Sequence, residues 1–199
     1  MPFLLRVELP DIPGSLGRVA TAIGEAGGDI EAIEIVEHRA DGAAVDDVLL
    51  ETTPGTMPDS IVSACNSLDG VKVVWISRYA AGGNLFLDLE VVEELTAYPA
   101  EALERLIGLL PATFRADWAM RVGKDGAVLR TNAAPNHFGW TEVEKAIRLP
   151  SVDDNLLAAV PLTSDEFVVI ARRGGPAILD SELARLGHLV GLAKTIAGG

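Results

Sequence analysis

The chain has 199 residues, 49% of them hydrophobic, and a formal net charge of −13. That is enough for one large or two small folded domains and too apolar for a disordered chain. The acidic balance repels nucleic acid and anionic membranes, so neither is an expected partner, and a single cysteine, Cys65, excludes an internal disulfide or a cysteine-rich metal site.

The charge is uneven: residues 1–80 hold 5 basic and 13 acidic side chains, net −8, and residues 81–199 hold 11 and 16, net −5. No run reaches the roughly 18 apolar residues of a membrane span. Arg6 and Glu8 come too early for a signal peptide. The expectation is a soluble, cytoplasmic protein without a cofactor.

Phe3 to Leu9 reads as a strand, followed by a tight break at Asp11-Ile12-Pro13-Gly14. Leu16, Val19, Ala20 and Ile23 then fall at helical spacing, and Gly27-Gly28 ends that helix. The turn carries chemistry. Pro13 suits a helix start, and Gly14 lets a ligand or a second backbone approach closely. Free amides at the helix N-terminus attract an anion such as a carboxylate. Alternatively, Asp11 caps the helix from within the chain and no ligand is needed.

A second strand spans Ile30 to Glu37, and Ala40-Asp41-Gly42 is a hairpin turn. A third strand, Val45 to Thr52, sets Val48 and Leu50 against Asp47, Leu49 and Glu51. Asp59 or Ser60 is placed to cap a helix with Ile61, Ala64, Cys65 and Leu68 on one stripe, which makes Cys65 a buried structural thiol. Val71 to Tyr79 is a fourth strand. The order βαββαβ is the ferredoxin-like arrangement.

With Asp11-x-Pro13-Gly14-x-Leu16 after the first strand and Asp29-Ile30 opening the second, residues 1–80 resemble the ACT domain, a small regulatory module that binds amino acids. The resemblance implies pairing of domains, with an amino acid held at the homodimer interface. Carried over to this chain, the ligand-binding positions are Asp11, Ile12, Pro13, Gly14, Ser15 and Leu16, with Asp29 and Ile30 at the start of the second strand. Many members carry Asn at the position of Asp29. A carboxylate there can pair with a ligand's ammonium group but cannot donate a hydrogen bond; the other reading is a solvated linker residue.

A linker is expected at residues 81–84 and a second domain at 85–199. Leu85, Leu89, Val92 and Leu95 suit a helix. Pro99 precedes another, striped by Leu103, Leu106, Ile107, Leu110 and Phe114. Trp118–Val122 and Ala127–Asn132 form a hairpin around residues 123–126, and a loop holding His137 leads to a weak helix over Thr141–Arg148. Strands Leu156–Leu162 and Glu166–Arg172 precede a long helix from Asp180 to Ala197. The two opening helices, the strand pair ending in Arg172-Arg173-Gly174-Gly175 and the closing SELARLGHLVGLA helix resemble a shortened GAF domain, a sensor module, over residues 84–197. The whole is an α+β chain: a ferredoxin-like domain, then an antiparallel-sheet domain with helices. The GAF-like part has no cysteine to attach a bilin and a short middle, so dimerisation or partner docking is the alternative to a sensor pocket.

No catalytic constellation is legible. His38, His137 and His188 lack the i, i+4 partner of a helical zinc site, and there is no nucleophile elbow or phosphate loop. His137, near Trp140, is the best of the three for a small binding site. Asp46-Asp47 and Asp153-Asp154 lack the spacing of a calcium loop, so no metal is expected. Arg172-Arg173 suits an anion or simply ends a strand. The expected function is a non-enzymatic regulator that binds a small amino acid, dimerises and signals to a separate effector protein. The alternatives are a ligand-free dimerisation module and a weak enzyme in the second domain.

Overall fold

The computed structural model describes residues 2–78 and 84–198, which divide between Arg78 and Asn84 into two compact units. The linker expected at residues 81–84 lies outside the described residues, except Asn84, which opens a helix.

The first unit contains β1 (Pro2–Pro10), α1 (Ser15–Glu25), β2 (Gly28–His38), β3 (Ala43–Thr52), α2 (Pro58–Asn66) and β4 (Lys72–Arg78). The strands form one antiparallel sheet in the order β2-β3-β1-β4, the expected ferredoxin-like fold. Phe3, Leu5, Val7 and Leu9 alternate onto one face and meet Val48 and Leu50 of β3, Val19 and Ile23 of α1, and Ile61 and Cys65 of α2. Burial pushes the Cys65 thiol above its usual range. In α1 the inward position after Val19 belongs to Ala22 rather than Ala20, because i, i+3 and i+4 share a helix face. On the opposite sheet face Arg6 stands across from Asp47, and Nε and Nη2 donate to Oδ1 and Oδ2 at 2.7 and 2.8 Å. Neither Asp59 nor Ser60 caps α2: the helix opens on Pro58, whose missing N–H would have been unbonded at that position anyway.

The second unit contains α3 (Asn84–Ala97), a 3-10 turn (Pro99–Glu101), α4 (Ala102–Phe114), β5 (Trp118–Gly123), β6 (Gly126–Arg130), β7 (Ile147–Val152), β8 (Asn155–Pro161), β9 (Glu166–Arg173) and α5 (Asp180–Gly198). The five strands form an antiparallel sheet in the order β6-β5-β9-β8-β7. One face packs on all three helices, with Val91, Leu95, Leu106, Leu110, Phe114, Leu186 and Val190 around Ala158, Val168 and Ile170. The other face buries Trp118, Met120, Leu157 and Phe167 beneath the 131–146 loop, whose Phe138 and Val143 pack there. Leu89, expected on the buried stripe of α3, is exposed, because the inward face runs through Val91 and Leu95.

The helix expected over Thr141–Arg148 does not form. Residues 141–146 belong to the loop, and β7 begins at Ile147. Pro150 disfavours helical geometry in the residue before it, and it is tolerated in β7 because that strand lies at the sheet edge.

Arg172 is not a surface anion site. Its guanidinium donates to the carbonyls of Phe114 (2.7 Å), Arg115 (3.3 Å) and Pro176 (3.1 Å) and to Glu182 Oε1 (2.6 Å). Glu182 in turn accepts the Leu179 amide through Oε2 at 2.9 Å. One buried ion pair therefore satisfies the open carbonyls at the end of α4 and the open amide before α5. Replacing one partner strands the other charge in the interior. Arg172→Met should destabilise the second unit by about 3 kcal/mol or more, read as a lower urea midpoint by circular dichroism. In the first unit a Cβ on Gly28 would lie 2.6 Å from Ile23 Cγ2. Gly28→Ala should cost about 1–3 kcal/mol by the same assay.

Candidate functional site

The turn between β1 and α1 is built by backbone bonds. The Asp11 amide donates to the Gly42 carbonyl at 2.8 Å, and the Ser15 amide to the Ile12 carbonyl at 3.2 Å. The first of these ties the turn to the β2–β3 hairpin. Gly14 has φ 90°, in the left-handed region, and a Cβ built on it meets nothing within 4 Å. Glycine is needed there for its backbone angle, and the space over it is open.

Asp11 does not cap the helix. Gly14 occupies the cap position with no side-chain cap, and Asp11 Oδ2 instead lies 2.8 Å from His38 Nδ1 at the end of β2, both residues being exposed. Among the described residues, the Leu16 and Gly17 amides donate to no backbone carbonyl. The helix thus begins with open donors at its positive end.

Beneath the turn, two buried polar atoms lack partners. Ser15 is 1% exposed and its Oγ makes no hydrogen bond; Asp46 is 1% exposed and its Oδ1 makes none. Asp46 sits opposite Val7 and Ile35, in phase with Val48 and Leu50 on the helix-facing side of the sheet. Burial raises its carboxyl above the ordinary range; repulsion from Asp11 and Asp47 adds to this, while His38 opposes it.

Asp11, Ile12, Pro13, Gly14, Ser15 and Leu16 therefore come together around the start of α1. Ile12, Pro13 and Gly14 are exposed, and Leu16 packs partly on the core. Asp29 and Ile30 do not join them. They pair with Glu51 and Leu50 near the start of β2, whereas Asp11 meets His38 at its end. At about 3.3 Å per residue, the length of β2 separates them by roughly 25 Å within one chain. Asp29 is exposed, and Ile30 is half-buried against the core.

Sequence reasoning weighed Asp46 and His38 only as metal ligands and did not bring them to Asp11. The signal for Asp46 was present: it shares the parity of Val48 and Leu50, so strand alternation turns it inward. His137 and His188 are exposed. Among the described residues no three of His, Cys, Asp and Glu are placed to hold a metal ion, and no helix is long and apolar enough to cross a membrane.

Residues 3–66 match the ACT domain family, over the stretch that carries the turn, α1 and β3. These residues are an ACT domain. Over 33 residues the chain is 61% identical to NAD-dependent malic enzyme 1 of Bacillus subtilis (strain 168), which is 17% of this chain and 8% of that protein; the chain thus matches about 8% of that relative's length. Among solved structures, an unknown protein from Galdieria sulphuraria is similar at 12% identity and TM-score 0.35, covering 99% of this chain and 91% of that one. A protein described as a glycine cleavage system transcriptional repressor is similar at 11% identity and TM-score 0.33, covering 96% and 91%. A formyltetrahydrofolate deformylase from Pseudomonas putida KT2440 is similar at 10% identity and TM-score 0.31, covering 49% and 39%. Superpositions this loose speak to neither ligand nor activity.

The raised Asp46 carboxyl has a testable consequence within the ACT domain. The folded protein keeps that proton to a higher pH than the unfolded chain, so stability is lost as pH rises above the ordinary aspartate value of about 3.9. An asparagine side chain in its place would not ionise. Asp46→Asn should therefore be more stable than the wild type at pH 7, by on the order of 1 kcal/mol, and the gap should close near pH 3. Urea midpoints at the two pH values check this.

Proposed function

We propose that this chain is a non-enzymatic regulatory protein of the cytoplasm whose ACT domain binds a small amino acid at a site completed by a second copy of the chain. The observation that carries this reading is the pair of buried, partnerless polar atoms, Ser15 Oγ and Asp46 Oδ1, under a turn whose Leu16 and Gly17 amides are open. A native fold seldom leaves such atoms unpaired without a functional reason. An α-amino acid supplies both complements: a carboxylate for the amides at the positive end of α1 and an ammonium for the carboxylates of Asp46 and Asp11.

Asp29 and Ile30, at the far end of β2, enter the same site only from a second copy. In that arrangement Asp29 adds a further partner for the ligand's ammonium group. Ligand bound across two copies stabilises one assembly over another by its differential affinity for the two, and this is the whole of its leverage. The second unit, which we read as a GAF-like module, passes the signal to a separate effector protein.

A second reading is a dimerisation module that binds no small molecule. Ile12 at 61% exposure and Ile35 at 50% favour it, since both present large apolar side chains to solvent at the hairpin end of the domain.

A thermal-shift screen against the common amino acids at millimolar concentration separates the two. A ligand at a hundred times its dissociation constant adds about 2.7 kcal/mol, which should raise the midpoint by roughly 5 °C or more. One selective hit, lost in Gly14→Trp and in Asp46→Ala, supports the sensor. A flat panel together with a dimer by light scattering would leave the second reading.

A further inference from the structure

The second unit carries a different concavity, a cleft of about 370 Å³ between the 131–146 loop and the β8–β9 hairpin. Its walls are Trp140, Val143 and Pro161 over Phe167, and Glu142 and Glu144 stand on its rim. We propose that this cleft binds a small aliphatic ammonium compound over the indole face of Trp140. Nothing in this inference depends on the ACT domain binding an amino acid.

The cleft is built before any ligand arrives. Phe138 packs edge-on against Trp118 and Phe167, with centroids at 5.9 and 6.2 Å. Arg130 Nη1 donates to the Ala134 carbonyl at 2.9 Å, and Thr131 Oγ1 accepts the Ala119 amide at 3.0 Å. The loop is thus pinned at both its start and its middle. Trp140, two residues past Phe138, remains 36% exposed.

The choice of a cation rests on charge and on the exposed indole. Among the described residues neither Glu142 nor Glu144 has an ion-pair partner, whereas Glu166 is held by Arg121 at 2.7 Å and Asp165 by Lys124. The open charges of the cleft are therefore negative, which disfavours an anion. The Lys124 ammonium lies 5.5 Å from the Trp140 ring centroid, within the range of attraction between a cation and an aromatic face. Lys124 is not part of the cleft's lining, and its ammonium is already bonded to Asp165, so its charge is met there and the cleft is left to the two rim carboxylates. A cleft of this size lies at the small end of small-molecule sites.

The test is isothermal titration of the full chain with choline and with putrescine. The control is 3,3-dimethylbutan-1-ol, which has the shape of choline without its charge. Binding of at least one amine, with none of the neutral alcohol, is expected. Trp140→Leu should weaken binding at least roughly fivefold, and in low-salt buffer Glu142→Gln combined with Glu144→Gln, which removes the rim charge, should weaken it by a similar factor. Should Trp140→Leu fail to fold by circular dichroism, the result with Glu142→Gln and Glu144→Gln decides. Equal binding of the neutral alcohol, unchanged affinity in Glu142→Gln with Glu144→Gln, or no heat from either amine up to about 20 mM would overturn the proposal.

Discussion

Side chains alternate along a strand, and in β3 this puts two neighbouring carboxylates in opposite circumstances. Asp47 faces Arg6 and is matched by two short bonds from its guanidinium. Asp46 faces the helices and keeps an oxygen without a partner. The Arg6–Asp47 pair fixes the register of β1 against β3, since a slip of one residue would carry each side chain to the other face. The same pairing commits Asp46 to the interior. The ordered, well-satisfied contact on one side of the sheet and the unsatisfied carboxyl on the other are two results of a single alignment.

The second unit relies on a comparable economy at Arg172. One guanidinium closes the end of α4 and, through Glu182, the beginning of α5, so the two helices are held by their termini as well as by their apolar faces. Where that pair is fully engaged, the Trp140 cleft is its opposite: an aromatic face partly open, with two rim carboxylates lacking ion-pair partners among the described residues. The contrast separates polar groups that hold the fold from groups left available for a ligand.

Much of this was legible from residue order. The alternation of Phe3, Leu5, Val7 and Leu9, the break at Pro13-Gly14 and the glycines at 27–28 locate β1, α1 and β2 by local rules, and the ACT domain follows from their sequence. What was not legible depended on tertiary placement. Asp11 looks like a cap until His38 is brought beside it from 27 residues away. Asp29 and the turn look like neighbours in a shared motif until the length of β2 is laid between them. Thr141–Arg148 has residues compatible with a helix, and the decision went to the sheet because Val143 and Leu149 pack on its buried face. Arg172 reads as an exposed strand end until the carbonyls of α4 close around it.

Pro150 also bears on how the second sheet meets its surroundings. The sheet has two borders, β6 and β7, and a border strand is an invitation to further strands because its backbone groups are unpaired. In β7 the proline has no amide hydrogen to offer, and the pairing register shifts between Leu149 and Val152. That border is blunted against growth. β6 has a register shift of its own but no proline, so a strand added from another chain would find amide donors there that Pro150 withholds from β7, and a residue that plays no part in the core biases self-association of this unit to one side.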